Sequence, residues 1–228
     1  MLDALFENHD CLLILDTETS GLSFKQDRII ELAVLKLVRQ NGAIGIAEQM
    51  DEFIRLPKGQ LLDPKIVELT HITDAMLQTQ GLSEGEVLGR FVKMFAGERA
   101  LVIAYNAHFD LSFLYYGLAR QGLAAALKGI DMLDALTVYK DRRDYPHKLE
   151  AAIEQYGLQD RVVNSHRAID DTLALKEVLV AMEQELPDLN RYLNLFGYNP
   201  KFGVSGAKIS SVTYKPQPYN DKTKLYLK

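Results

Sequence analysis

A second cysteine is missing from this 228-residue chain, so no disulfide can close within it. The one cysteine, Cys11, falls inside an apolar run, and a reducing compartment is the expectation. A long apolar stretch is missing too. The longest runs, CLLIL and LVIA, fall far short of the roughly 20 residues that a membrane span requires. The opening residues, MLDALFENHD, hold neither a basic segment nor an apolar core, so no signal peptide is expected. Internal repeats and low-complexity segments are also lacking. A soluble, cytoplasmic protein is therefore expected. With 47% hydrophobic and 25% charged residues, the chain has the composition of an ordinary globular protein, and it can bury a core without covalent staples.

Positive charge is scarce. A net charge of −5 reads against a nucleic-acid binder, which ordinarily shows a basic footprint. The deficit is uneven, however. From Lys201 onward six lysines face a single acid, Asp221, giving +5 and leaving −10 on the first 200 residues. An acidic body does not disqualify a phosphate-handling protein whose acids hold divalent cations, because those cations supply the charge that the phosphate meets.

What the chain does contain is a clear order of elements. Cys11–Asp16 is a short continuous apolar run, read as a strand buried on both faces. Arg28–Arg39, rich in β-branched residues, reads as a second strand, and Ile44–Leu56, ending before Pro57, as a third. Asp63 ahead of Pro64 starts a helix to Thr70, and Thr73-Asp74 opens another. Ser83 and Glu86 form a capping box for Ser83–Phe95. Leu101–Tyr105 reads as a buried strand and Asn106–Gln121 as a helix. Asp131–Tyr139 and His147–Tyr156 are expected to be short helices, and Ala168–Leu186 a long amphipathic one ending near Pro187. This order implies an α/β fold, with a mixed central sheet flanked by helices. Residues 1–198 are expected to form the domain. Residues 199–228, rich in tyrosine and lysine, are expected to be a basic extended tail or a pair of edge strands.

Carboxylates stand at three places where the hydrophobic pattern does not call for them. Asp16 and Glu18 end the first strand, and residues two apart on a strand face the same side. Two adjacent anions repel, and a cation is the usual relief; the plainer reading is a polar strand end entering a loop. Asp110 falls in the first turn of a helix, where it can simply complement the helix dipole. His108 beside it reads as local packing or as solvent-facing. His166, Asp170 and Asp171 open the long helix, where acids again have an ordinary role. Taken together, four carboxylates and a histidine sit at the ends of regular elements, which is where open α/β sheets place their sites.

The segments DTETSGL (16–22), YNAHFD (105–110) and HRAIDD (166–171), in that order, resemble the three motifs of the DEDD superfamily of 3′→5′ exonucleases, in its histidine-bearing, DnaQ-like (DEDDh) branch. RIIELAVLKL and LTHITDAML (69–77) are similar to the exonuclease domains of Gram-positive replicative polymerases and their stand-alone relatives. The resemblance covers about residues 12–186. Tyr105 departs from it, standing where many relatives carry histidine, but touches no catalytic position.

The resemblance implies a ribonuclease H-like exonuclease fold. Asp16, Glu18, Asp110 and Asp171 match its four acidic positions and His166 its general base, the spacing H-x-A-x-x-D selecting Asp171 over Asp170. It also implies two divalent cations, Mg²⁺ or Mn²⁺, which hard oxygen ligands suit; the lack of a cysteine ligand argues against structural zinc. One cation would be held by Asp16, Glu18 and Asp171 and bind the attacking water. The second would use Asp16, with Asp110 acting through waters, and stabilise the leaving oxygen. An imidazole, with an ordinary pKa of about 6.5, suits a base working near neutrality. Thr19, Ser20 and Gly21 would bind the terminal nucleotide, with Leu22 as an apolar wedge and Phe109 as a further apolar contact, although core packing explains those two equally well. The implied substrate is a nucleic-acid 3′ end, DNA ahead of RNA, and a DNA polymerase or repair complex is a candidate partner. The tail suits phosphate contact and base stacking, or docking and dimer formation. An exoribonuclease of the same superfamily is the alternative activity, and a non-catalytic binding module is the alternative of another class.

Overall fold

A computed structural model of the chain describes residues 2–163, 165–201, 211–218 and 221–228. The apolar runs pair into one five-stranded mixed sheet of order β3-β2-β1-β4-β5. Strands β1 (Cys11–Thr19), β2 (Ile29–Gln40) and β3 (Ala43–Phe53) form an antiparallel meander. Strands β4 (Ala100–Ala104) and β5 (Asp131–Asp134) continue the sheet in parallel from the other side of β1. The β2–β3 turn is Asn41-Gly42, with φ of 51° and 80°. Those values are what a two-residue hairpin turn of the twist-matched type demands, and Asn-Gly adopts them at little cost.

Helices α1 (Pro64–Thr70), α2 (Asp74–Thr79) and α3 (Glu84–Lys93) lie between β3 and β4. Each starts as the sequence implies, with the side chains of Asp63, Thr73 and Ser83 accepting a first-turn backbone N–H. Helix α4 (Ala107–Arg120) follows β4. Helices α5 (Ala135–Arg142), α6 (Leu149–Gln155) and α7 (Ala168–Glu185) follow β5.

Strand alternation sorts the core into two layers. Cys11, Leu13 and Leu15 of β1 pack with Phe91 of α3 and Leu111 and Leu114 of α4. Leu12 and Ile14 face the other way, toward Val138 of α5, Ile153 of α6 and Leu175 and Val178 of α7. Both faces of β1 and β4 are covered, which explains why these strands read as continuous apolar runs, whereas β3 at the sheet edge is largely exposed. The same period of two determines what happens past Leu15. It sends Asp16 and Glu18 toward α7, and Thr17 toward α4.

One expected element is corrected. Asp131–Tyr139 is not a single helix; Asp131–Asp134 is strand β5, and the helix begins at Ala135. Met132 and Leu133 are fully buried and lie in parallel register with Val102 and Ile103 of β4. A buried strand of four residues has no periodicity that separates it from a helical turn. Helix α6 is shorter than expected, and strand β3 ends at Phe53, before the expected Leu56.

Past α7, β6 (Leu195–Tyr198) and β7 (Thr213–Pro216) pair in parallel as a separate two-stranded sheet. Strand β6 begins before residue 199 and docks beside β5 through Asn194. That side chain accepts from the Met132 N–H (2.9 Å) and donates to Asp131 (2.6 Å). Leu225 is fully buried in the α7-side core. Part of the expectation for 199–228 falls on residues 202–210, 219 and 220, which lie outside the described residues. Among the described residues no helix is long and apolar enough to cross a membrane.

Candidate active site

The alternation at the end of β1 builds the site. Asp16 and Glu18 project toward α7, which packs along β1 and β2, and meet Asp171 in its first turn. One oxygen from each of these three carboxylates lies within 4.8 Å of the other two. The Oδ1 of Asp171 is buried and has no hydrogen-bond partner among the described residues. An orphaned buried acceptor costs about 1–3 kcal/mol, and three converging anions add mutual repulsion.

The titration of the group reflects that strain. Burial holds the Asp16 carboxyl well above the usual carboxylate range, and the charges of Asp110, Asp171 and Glu18 push it further the same way. Burial, then Asp171 and Glu31, raise Glu18 to about 8. Burial raises Asp171 to about 6 against the pull of His166 and of backbone N–H groups. Three converging hard oxygen donors, with an unpartnered carboxylate oxygen on Asp171, fit a divalent cation such as Mg²⁺ or Mn²⁺.

Asp110 does not join the three-way cluster. Thr17, facing α4, holds it from below: the Thr17 backbone N–H (3.1 Å) and hydroxyl (2.7 Å) both donate to Asp110 Oδ1. Burial raises Asp110 to about 7 even though these hydrogen bonds favour its charged form. The start of α4 is itself pinned. Asn106 takes a left-handed conformation (φ 65°), which asparagine tolerates. The Ala107 N–H then donates to Asp134 Oδ1 at 3.0 Å. Asp134 also accepts from the Leu136 N–H and the Thr137 hydroxyl, so one buried carboxylate holds the starts of both α4 and α5.

His166 is exposed on the loop before α7, in a left-handed conformation (φ 56°) that is uncommon outside glycine and asparagine. The next residue explains how that backbone is held. Arg167 donates through Nε (2.9 Å) and an Nη (2.5 Å) to Glu31 of β2, and the Ala168 N–H donates to the other Glu31 oxygen at 2.9 Å. Arg167 also lies over the Phe53 ring, 4.9 Å from its centroid. Glu31 is 0% exposed and stands directly across from Glu18 on the neighbouring strand, so without Arg167 two like charges would face each other. This clamp fixes the loop that carries His166 and the turn that carries Asp171.

Nothing in the sequence reading singled Glu31 out, although an acid inside RIIELAVLKL is a visible break in pattern. Removing one partner of a buried pair leaves the other uncompensated. Because Arg167 keeps contact with solvent, Glu31→Ala is expected to cost about 1–3 kcal/mol of folding stability, chiefly from the buried Ala168 N–H left without its acceptor, read by urea denaturation. A loss under about 1 kcal/mol, the range of surface pairs, would show that the clamp holds nothing.

The remaining expected residues divide. Thr19 donates to the Gly21 carbonyl (2.7 Å), and Ser20 Oγ accepts from the Arg28 N–H (3.0 Å), so both shape the turn after β1. A Cβ on Gly21 would lie 2.5 Å from Asp27 Oδ2, so a side chain here would push aside the carboxyl that accepts from the Ser23 N–H. Leu22 is 83% exposed at the tip of the turn, an apolar side chain with no packing role. Phe109 is half-buried and meets Phe113 at a tilt, ring centroids 4.9 Å apart and planes at 48°, as part of the α4-side core. His108 packs edge-on against Tyr214. Asp170 turns away from the cluster and accepts from the Ser165 hydroxyl at 2.5 Å. His166 and Asp171 line a cleft of about 640 Å³ together with Asn106, Lys140 and Tyr145.

Comparison with known proteins places this geometry. The family model described as "Exonuclease" (RNase T) matches residues 13–179. The chain is 35% identical over 188 residues to the PolC-type DNA polymerase III of Staphylococcus epidermidis, covering 80% of this chain and 12% of that protein. It is 36% identical over 180 residues to the Staphylococcus aureus counterpart, covering 78% and 12%. It therefore spans about an eighth of the length of these relatives. Among solved structures, E. coli exonuclease I in complex with a dA16 oligonucleotide superposes with a TM-score of 0.69 at 20% identity, covering 80% of this chain and 42% of that one. A 3′-exonuclease described in 3′-end recognition of a histone mRNA stem-loop gives 0.64 at 18% identity, covering 79% and 66%. These structures share the mixed sheet and its helices.

Proposed function

Because this chain belongs to the exonuclease family, we propose that it is a metal-dependent 3′→5′ exonuclease that trims nucleic-acid 3′ ends, DNA by preference, and releases nucleoside 5′-monophosphates. The observation that carries the reading is the convergence of Asp16, Glu18 and Asp171 on one spot, with a buried Asp171 oxygen left unpartnered. Asp16, Glu18 and Asp171 would hold two divalent cations, Mg²⁺ or Mn²⁺, with Asp110 beside Asp16. When bound, such cations neutralise the charge that develops on phosphate and lower the pKa of water.

The chain's own groups do the rest. His166, exposed at the mouth of the cleft, accepts the proton of the attacking water. The Glu31–Arg167 clamp keeps that imidazole and Asp171 in fixed relation. Leu22 wedges against the terminal base, Phe109 offers a further apolar contact, and the turn at Thr19, Ser20 and Gly21 receives the sugar end. DNA is favoured because the sequence relatives are DNA polymerases; a polymerase is the partner that this similarity suggests. The buried single Cys11 suits the cytoplasm. Side-by-side digestion of end-labelled DNA and RNA with Mg²⁺, Mn²⁺ and EDTA tests the reading. DNA shortened from its 3′ end only with metal supports it, and cleavage that persists in EDTA refutes it.

The raised carboxyls carry a further expectation. An acid whose folded pKa exceeds its unfolded value of about 4 contributes most to stability below that value and loses the contribution as pH climbs through the folded pKa. For Asp171 and Glu18 the window ends at about 6 and about 8. The metal-free protein should thus lose stability between about pH 4 and 8, and a cation that relieves the repulsion should restore it. The rise in Tm on adding Mg²⁺ should be larger near the top of that window than near the bottom. A gain that does not change with pH would contradict the repulsive cluster.

A further inference from the structure

We propose that strands β6 and β7, with helix α5, form the far wall of a track for the single nucleic-acid strand leading to the reacting end. This rests on the exonuclease reading and adds to it a binding site that lies partly outside the family-matched residues 13–179.

Two clefts carry the inference. The larger, about 640 Å³, is lined in part by His166 and Asp171; the smaller, about 160 Å³, is walled by Tyr198, Asn199 and Tyr214. They share Asn106, Leu136 and Lys140, so a continuous course runs from the carboxylate cluster to β6 and β7. Its lining brings together lysines and aromatic rings, beside the acids Asp134 and Glu150. Lys140 stands where the clefts meet and Lys148 lines the larger one, and neither is in an ion pair among the described residues. Tyr145, 79% exposed, lies on the same course as Tyr198 and Tyr214. Unpaired lysines beside accessible rings are what a single strand needs, since phosphates seek cations and unpaired bases seek flat apolar faces.

The far wall is firmly attached. The Gly197 N–H donates to Thr137 Oγ1 (3.0 Å), and Gln217 Nε2 donates to the Thr137 carbonyl (2.8 Å). A Cβ on Gly197 would lie 1.9 Å from Gln217 Oε1, so a side chain here would displace the Gln217 amide from its place beside Thr137. Thr137 in turn donates to Asp134, which holds the start of α4, so the wall is registered to the helix that carries Asp110. His108 also lines the smaller cleft, and its Nε2 is buried without a partner among the described residues. Charge agrees, because residues from 201 onward carry +5 while the rest carry −10.

The test uses the full chain and substrates of two lengths, thymidine 5′-monophosphate p-nitrophenyl ester and an oligodeoxythymidine of about a dozen nucleotides, a length in the range one such groove covers. Lys140→Glu should raise KM for the oligomer about tenfold. It should also flatten the dependence of log KM on log salt by about 0.7, the increment of one phosphate contact to a single strand. Tyr198→Ala should raise the oligomer KM about fivefold or more, the loss of one stacked base. In both variants the effect on the oligomer should exceed that on the ester by at least these factors. If wild type cleaves both substrates with metal and the variants handle the oligomer as wild type does, the track is overturned and the exonuclease reading stands. If wild type cleaves neither, the exonuclease reading fails, and fluorescence anisotropy of the labelled oligomer still decides the track: unchanged affinity in Lys140→Glu overturns it.

Discussion

Asp171→Asn is expected to lower kcat by on the order of 10³-fold or more, with the fold intact. The side chain sits where α7 meets the end of β1, and one of its oxygens converges with those of Asp16 and Glu18 while Oδ1 lies buried without a partner. Cation charge at a transferring phosphate is worth several kcal/mol, and each 1.4 kcal/mol or so is a factor of ten in rate. An amide keeps the shape but removes the anion. Because Asp171 raises the carboxyls of both Asp16 and Glu18, its neutralisation should also stabilise the metal-free protein above about pH 6. Less activity together with more metal-free stability separates a site residue from a structural one. The same change at Asp170, which faces Ser165, should be mild. Kinetics and thermal melting of both variants read this. A total loss in Asp170→Asn with little loss in Asp171→Asn would reverse the assignment.

The second large effect is expected at His166. His166→Ala should lower kcat by about 10²–10⁴-fold, the range of a positioned general base, and leave KM and divalent-cation affinity nearly unchanged. The imidazole stands next to Asp171 on the rim of the cleft, it is exposed, and the backbone that carries it is held by the Arg167–Glu31 clamp. It supports no core packing, so folding stability should stay within about 0.5 kcal/mol, as at other surface positions. A raised KM with kcat preserved would make His166 a substrate contact rather than the base.

Much of this site was legible in the sequence because its geometry follows from alternation. Asp16 and Glu18 share a face for the same reason that Leu12 and Ile14 do, and the helix carrying Asp171 must cover that face to bury its own apolar side. The starts of α1, α2 and α3 were legible from their caps. Strand β5 was not, because four buried residues contain no period to read. Nor was the Glu31–Arg167 clamp. The acid in β2 was visible, but its partner lies 136 positions away, and only the packing of α7 on β2 brings the two together. Asp110 shows the reverse case. Its motif position is readable, whereas its tether to Thr17, on the opposite face from Asp16 and Glu18, follows only once the parity of β1 is known. The course from Asn106 to β6 and β7 depends on β6 docking beside β5, a long-range contact that composition alone does not reveal.

The central claim is that side chains from β1 and α7, some 150 positions apart by residue number, close on a shared cation. Crystals grown in Mn²⁺ and measured for anomalous scattering test it directly. The expected map has a manganese peak within roughly 2.5 Å of carboxylate oxygens of Asp16, Glu18 and Asp171. A saturated crystal with no peak there, or with manganese bound only elsewhere, would contradict the account.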